Sequence, residues 1–175
     1  MSALLRLVDR LNAVLAVVVG ALLAATALAV LVQVLVRFVL TAVGINISAP
    51  WTEEVARYTL IWMVFLGAGV GCRRAQMIAL EFLVRRLPAR IGVPIRYATI
   101  ALSVAFFVLL IWVGLPFVEL GRTETSPVMN LEKSIVYWAL PVGAGLMILN
   151  SLALVLETVL ERRDIRFAAD GPAVD

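Results

Sequence analysis

Residues 11–36 form a run of about 26 residues that is apolar almost throughout. A helix rises about 1.5 Å per residue and the hydrocarbon core of a bilayer is about 30 Å thick, so this run is long enough to span with tilt. In hydrocarbon every backbone N–H and C=O must find a partner within the protein, which leaves a helix as the form such a run can take. Three further apolar stretches follow, at 51–72, 97–117 and 135–156. Hydrophobic residues make up 63% of the chain, far above an ordinary globular domain. The expected fold is an all-α integral membrane protein: four transmembrane helices in a single domain over 1–166. A secretory signal has a short apolar core and a small-residue cleavage site, so the first run reads as a retained helix.

Arginine placement gives the orientation. Arg6 and Arg10 precede the first span, Arg73, Arg74, Arg85, Arg86, Arg90 and Arg96 lie between the second and third, and Arg162, Arg163 and Arg166 follow the fourth. The other side holds Arg37, Arg57, Arg122 and Lys133, accompanied by Glu53, Glu54, Glu119, Glu124 and Glu132. Both termini are therefore expected in the cytoplasm, with the loops 41–52 and 121–133 outside. Within the connector 76–87, Met77, Leu80, Leu83, Val84 and Leu87 recur at helical spacing, and Pro88 ends the pattern. This predicts an amphipathic helix on the cytoplasmic membrane surface, with Arg73, Arg74, Arg85, Arg86 and Arg90 as candidates for phospholipid headgroups. A cytoplasmic helix packed on the bundle is the other reading of the same pattern. The tail 167–175 is expected to be disordered.

The composition narrows the chemistry. The chain has no histidine and a single cysteine, Cys72. It therefore has no intrachain disulfide, and no metal site, cofactor or catalytic constellation is expected. The basic residues sit beside apolar spans rather than in a nucleic-acid footprint, so no nucleic-acid partner is expected.

The most informative polar cluster is Trp51-Thr52-Glu53-Glu54-Val55-Ala56-Arg57-Tyr58, three charges at the mouth of an apolar span. Charge is costly near hydrocarbon, so it sits at the interface or is paired. One reading is helix initiation: Thr52 caps, the glutamates favour the positive helix end, and Glu53 pairs with Arg57. The other is a contact with a second membrane subunit, with Trp51, Glu53, Glu54, Arg57, Tyr58, Gly67 and Gly71 as candidates. Gly67, Gly69 and Gly71 form a small-residue ridge, and Gly67 and Gly71, four apart, allow a close helix approach within the bundle or against a partner. Pro141, with Gly143 and Gly145, is expected to kink the fourth span. Ser126-Pro127 predicts a short helix in the second outer loop. Gln33, Asn150 and Ser151 are expected to hydrogen-bond between helices.

At these residues the chain resembles the small membrane subunit of tripartite ATP-independent periplasmic (TRAP) transporters, the DctQ-like family. The resemblance rests on the 51–58 block and on Ile61-Trp62-Met63-Val64-Phe65-Leu66-Gly67-Ala68. It extends to Arg73-Arg74, Ser126-Pro127 and Tyr137-Trp138-Ala139-Leu140-Pro141-Val142-Gly143. It departs at Met77, where relatives often carry histidine. The resemblance implies a subunit of the bacterial inner membrane that binds a large membrane subunit and extends its scaffold. A periplasmic binding protein would deliver an organic anion, often a carboxylate, to the outer face, and ion-driven transport would belong to the large subunit. Two other classes stay open on the residues alone. A self-sufficient small transporter or channel, working as a homo-oligomer, requires polar residues facing a pore. A membrane enzyme requires a catalytic constellation at an interface.

Overall fold

The computed structural model describes residues 3–40, 42–44, 47–73, 86–161 and 164–170. Helix α1 covers Ala3–Val34 and runs on as a π-helix over Leu35–Leu40. Helix α2 covers Trp51–Arg73 and α3 covers Ala89–Gly121. A single-turn helix α4, Ser134–Tyr137, leads at Trp138 into α5, Ala139–Leu160. A 3-10 segment, Ile165–Asp170, follows. The four apolar helical stretches are 38, 23, 33 and 27 residues long, counting α4 and α5 as one. At least about 20 residues are needed to cross a bilayer, so each is long enough, and the chain is an all-α, multi-pass membrane protein. No strand occurs among the described residues; Thr125 and Glu132 form an isolated antiparallel bridge.

The helices pack as an open row rather than a closed bundle. α2 lies between α1 and α5, and α5 lies between α2 and α3; among the described residues the α3 backbone comes close to neither α1 nor α2. α1 also reaches α5, through Leu5 and Val8 against Ala153, so the row curls at the arginine-rich end. The main core forms where α2, α3 and α5 meet, with Phe107, Ala144 and Met147 buried against Phe65 and Leu110. Half of the most apolar stretch of the α4–α5 span is buried, against 6% for α1 and 11% for α2 and α3. The fourth span is thus the inner member, and α1 and α3 present most of their surface outward.

Several expectations change against this fold. Pro141 does not kink the span: it lies in the first turn of α5, where a missing N–H costs little, and the joint is one turn earlier at Trp138. Ser126-Pro127 starts no helix. Residues 127–129 form a turn, and Asn130 takes a positive φ of 52°, which breaks any helical continuation. The glycine ridge Gly67, Gly69 and Gly71 is used unevenly within this chain. A Cβ at Gly67 would find Val19 at an ordinary 3.7 Å, and one at Gly71 would find nothing within 4 Å. The tightest approaches are made by Gly143, where an added Cβ would lie 2.6 Å from Phe65 Cβ, and by Gly121, where it would lie 2.6 Å from the Ser134 nitrogen. At Gly69 an added Cβ would lie 3.0 Å from Leu146 Cβ. Residues 167–170, expected in a disordered tail, belong to the 3-10 segment. Ile165 is buried there, and Arg166 bonds to Asp164 and to the Leu87 carbonyl at 2.9 Å. The expected interfacial helix 76–87 falls almost wholly outside the described residues, as do Arg74 and Arg85.

Candidate functional site

Three polar constellations hold the spans together. In the interior, Asn12 of α1 and Asn150 of α5 exchange side-chain hydrogen bonds. Asn12 Nδ2 donates to Asn150 Oδ1 at 2.6 Å, and Asn150 Nδ2 donates to Asn12 Oδ1 at 2.9 Å. Asn150 also donates to the Gly69 carbonyl of α2 at 2.8 Å, and it is wholly buried. One amide thus ties α1, α2 and α5, using a carbonyl that the absent side chain of Gly69 leaves reachable. Asn150 was legible as an interhelical donor; Asn12, an amide near the start of the first apolar run, was overlooked. Nearer the other end, the Thr26 and Thr59 hydroxyls, 2.7 Å apart, join α1 to α2: one donates to the other, and the accepting hydroxyl gives its own proton to a carbonyl one turn back in its helix.

At the arginine-rich end, Arg73 lies between carboxylates from two other helices. Its Nε donates to Asp9 Oδ1 at 2.9 Å, and its Nη1 to Glu157. Only 11% of its side chain is exposed. This corrects its place among the lipid-headgroup candidates, because its guanidinium is turned inward and already neutralised by its own chain. Arg86 and Arg90 are exposed. Glu157 carried no role in the sequence reading. Its signal was a lone acid near the end of an apolar run, level with Arg73, and such a charge needs a named partner.

At the opposite end, the 51–58 cluster divides. Glu53 and Arg57 pair at 2.7 Å on the exposed surface, with side chains 60% and 61% accessible. Glu54 instead points into the protein and is 93% buried, being 7% exposed. Its Oε2 accepts from Ser126 Oγ at 2.7 Å and from the Met129 amide at 3.0 Å, and its Oε1 accepts from the Val128 amide at 3.0 Å. Thr52 does not cap α2; its hydroxyl donates to the Ala49 carbonyl at 2.7 Å. The segment received by Glu54 is a hairpin closed by Ser126 N–H to Leu131 O at 2.8 Å and Lys133 N–H to Glu124 O at 3.0 Å. Lys133 Nζ bonds Glu124 at 2.9 Å, and that carboxylate holds the ammonium above its ordinary pKa of 10.5.

Helical spacing places the remaining candidates on two faces of α2. Glu53, Arg57, Leu60, Val64 and Ala68 form an exposed stripe that continues to half-buried Gly71. Tyr58 lies on another face, lining a pocket of about 230 Å³ with Leu22, Val55, Trp62, Met129 and Ile135. Trp51 is exposed at the head of α2. Gly67 is half-buried near α1. Among the described residues no three His, Cys, Asp or Glu side chains gather as they would around a metal ion.

Comparison with known proteins adds the family. The model described as "Tripartite ATP-independent periplasmic transporters, DctQ component" matches residues 26–161. An isethionate TRAP transporter permease protein DctMQ of Oleidesulfovibrio alaskensis is 33% identical over 113 residues, 60% of this chain and 17% of that protein. A TRAP transporter small permease protein of Haemophilus influenzae is 26% identical over 141 residues, 79% of this chain and 82% of the relative. The C4-dicarboxylate TRAP transporter small permease protein DctQ of Rhodobacter capsulatus is 31% identical over 110 residues, 59% of this chain and 46% of that protein. The chain thus spans about a sixth of the length of the first and under half of the third.

Proposed function

This chain belongs to the DctQ component family of the tripartite ATP-independent periplasmic transporters, and on that footing we propose that it is the scaffold subunit that binds and steadies a large transport subunit. It is a small permease subunit of a transporter, and chemistry on a substrate is not its task. The observation that carries the scaffold reading is the use made of polar groups inside the spans. Asn12, Asn150, Thr26, Thr59 and Arg73 all point at one another's helices and brace the row. A substrate path needs polar groups that face a cavity and await a ligand. The match to a much longer permease named DctMQ fits a chain that works beside a larger membrane unit.

The large subunit is placed against the outward surfaces of the row, including the α2 stripe of Glu53, Arg57, Leu60, Val64 and Gly71, with Gly67 at its edge. Trp51 and Tyr58 serve the same contact only where it wraps onto the pocket face, and Glu54 is already engaged within the chain. In this reading the arginine-rich end, with both termini, is cytoplasmic in a bacterial inner membrane, and Arg86 and Arg90 meet phospholipid headgroups. The opposite end faces a periplasmic binding protein that delivers an organic anion of the carboxylate class. Uptake by the large subunit then runs on an ion gradient.

Reconstitution tests the reading. Liposomes holding this chain alone should show no saturable uptake of labelled dicarboxylates, sulfonates or sugar acids. Liposomes that also hold the large permease from the neighbouring reading frame should take up one such anion when its binding protein and an ion gradient are supplied. Saturable uptake by the isolated chain would overturn the scaffold role in favour of a self-sufficient homo-oligomeric transporter.

A further inference from the structure

The connector between α2 and α3 leaves the helices at Arg73 and rejoins them at Leu87, and α5 with its continuation holds both points. At the first, the Arg73 guanidinium closes α2 by donating to Asp9 Oδ1 at 2.9 Å and to Glu157. At the second, Leu87 precedes Pro88, whose ring disfavours a helical conformation in the residue before it. The ladder of α3 accordingly starts one residue later, with the Pro88 carbonyl accepting from the Ile91 and Gly92 amides at 3.0 and 2.9 Å. The Leu87 carbonyl needs a donor from elsewhere. Arg166 supplies it, through Nη1 at 2.9 Å.

Arg166 is itself held for this task. Its Nε donates to both Asp164 oxygens, at 3.0 and 2.9 Å, and its Nη2 to Oδ2, which leaves Nη1 for the carbonyl. A planar guanidinium suits this division, because one edge takes the carboxylate while another nitrogen stays free to donate. The segment that carries it is anchored: Ile165 is buried, and the 3-10 turn packs on both α3 and α5. Only 13% of the Arg166 side chain is exposed, so water competes weakly for the bond. We propose that the segment after α5 is a strap: through Arg166 it pins the Leu87–Pro88 turn, so that one helix and its continuation fix the connector at both ends. The exposed Arg86 and Arg90, which flank this turn, are thereby presented at a set depth. Released at Arg166, the connector keeps its hold at Arg73 and frays from the α3 side. The strap is independent of whatever lies beside the row, so it does not rest on the functional reading above.

Limited trypsin digestion of the full chain in nanodiscs tests it, with the cut sites located by mass spectrometry. Arg166→Ala should speed cleavage after Arg86 and Arg90 about fivefold and Asp164→Ala about twofold, because cutting follows local opening. Arg166→Lys, which keeps one charged donor, should fall between them. Amide exchange at Ile91 and Gly92 should rise in step, while cleavage after the exposed Arg10 and Arg122 stays at the wild-type rate. Unchanged cleavage and exchange in Arg166→Ala overturns the proposal. Equal acceleration at Arg10 and Arg122 overturns it too, because Arg166 would then support the whole fold rather than the turn. A chain ended after Glu161 removes Arg166 together with its Ile165 anchor. It should match or exceed Arg166→Ala at Arg86 and Arg90, and wild-type cleavage there would also overturn the strap.

Discussion

α5 and α1 are both long and apolar, yet they do different work. α5 is the inner member of the row: Gly143 admits Phe65 against its backbone, Asn150 gathers α1 and α2, and Glu157 holds Arg73. α1 is an edge helix, bound to its neighbours by Asn12, Thr26, Asp9 and a few buried residues, with Leu7, Val17 and Leu28 fully outward. Hydropathy does not separate them, because hydrocarbon and a protein interior are equally apolar. The small and polar residues separate them, since in lipid those residues mark where helices touch. The inner helix sets the fold, and the edge is left for whatever lies beside it.

The largest effect should come from breaking the inner knot. Asn150→Ala removes its hydrogen bonds to two helices and leaves the Asn12 side chain with only its bond to the Val8 carbonyl. The cost should be about 2–4 kcal/mol, read as lowered thermal stability of the purified chain in detergent. Gly143→Ala should follow at about 1–3 kcal/mol, because the new methyl meets Phe65 carbon and backbone oxygen. Gly145→Ala, where an added Cβ meets nothing within 4 Å, is its matched control. Arg73→Ala should cost a similar or smaller amount, about 1–3 kcal/mol, since water reaches the Asp9 side of the cluster.

Edge changes should behave in the opposite way. Gly71→Leu on the α2 stripe should shift the stability of the isolated chain by less than about 0.5 kcal/mol. It should nevertheless reduce co-purification of the large subunit several-fold. A stable variant that keeps its partner would remove this stripe from the interface. The smallest effect concerns the turn after α5. Arg166 holds Asp164 below its ordinary pKa of 3.8. Because the folded value is the lower one, this contribution is complete above pH 3.8 and is lost as pH falls through the folded value. Amide exchange at Arg166 and Phe167 should therefore rise only in strong acid.

Much of the architecture was legible because hydrocarbon allows few answers: about twenty apolar residues must be a helix, whatever their order. The Glu53–Arg57 pair was legible too, because four residues along a helix fix the distance. Glu54 was not, since its partners are 72 to 75 residues away and two of them are backbone amides, which carry no sequence signature. The Asn12–Asn150 pair, 138 residues apart, was visible only as two amides in apolar runs. Pro141 misled because proline means a kink in mid-helix and a start in the first turn, and the boundary at Trp138 decides between them. The glycine ridge was legible as a packing feature, but only packing shows that within it Gly69 makes the close intrachain contact while Gly71 makes none within 4 Å.

The central claim is that the polar interior of this chain braces a scaffold whose outward faces belong to a larger partner. Native mass spectrometry of the chain, extracted gently from membranes that also express the neighbouring large permease, tests it most directly. The account predicts a defined heteromer of this chain with the large subunit. A homo-oligomer of this chain alone, recovered while the large subunit runs free, would contradict it.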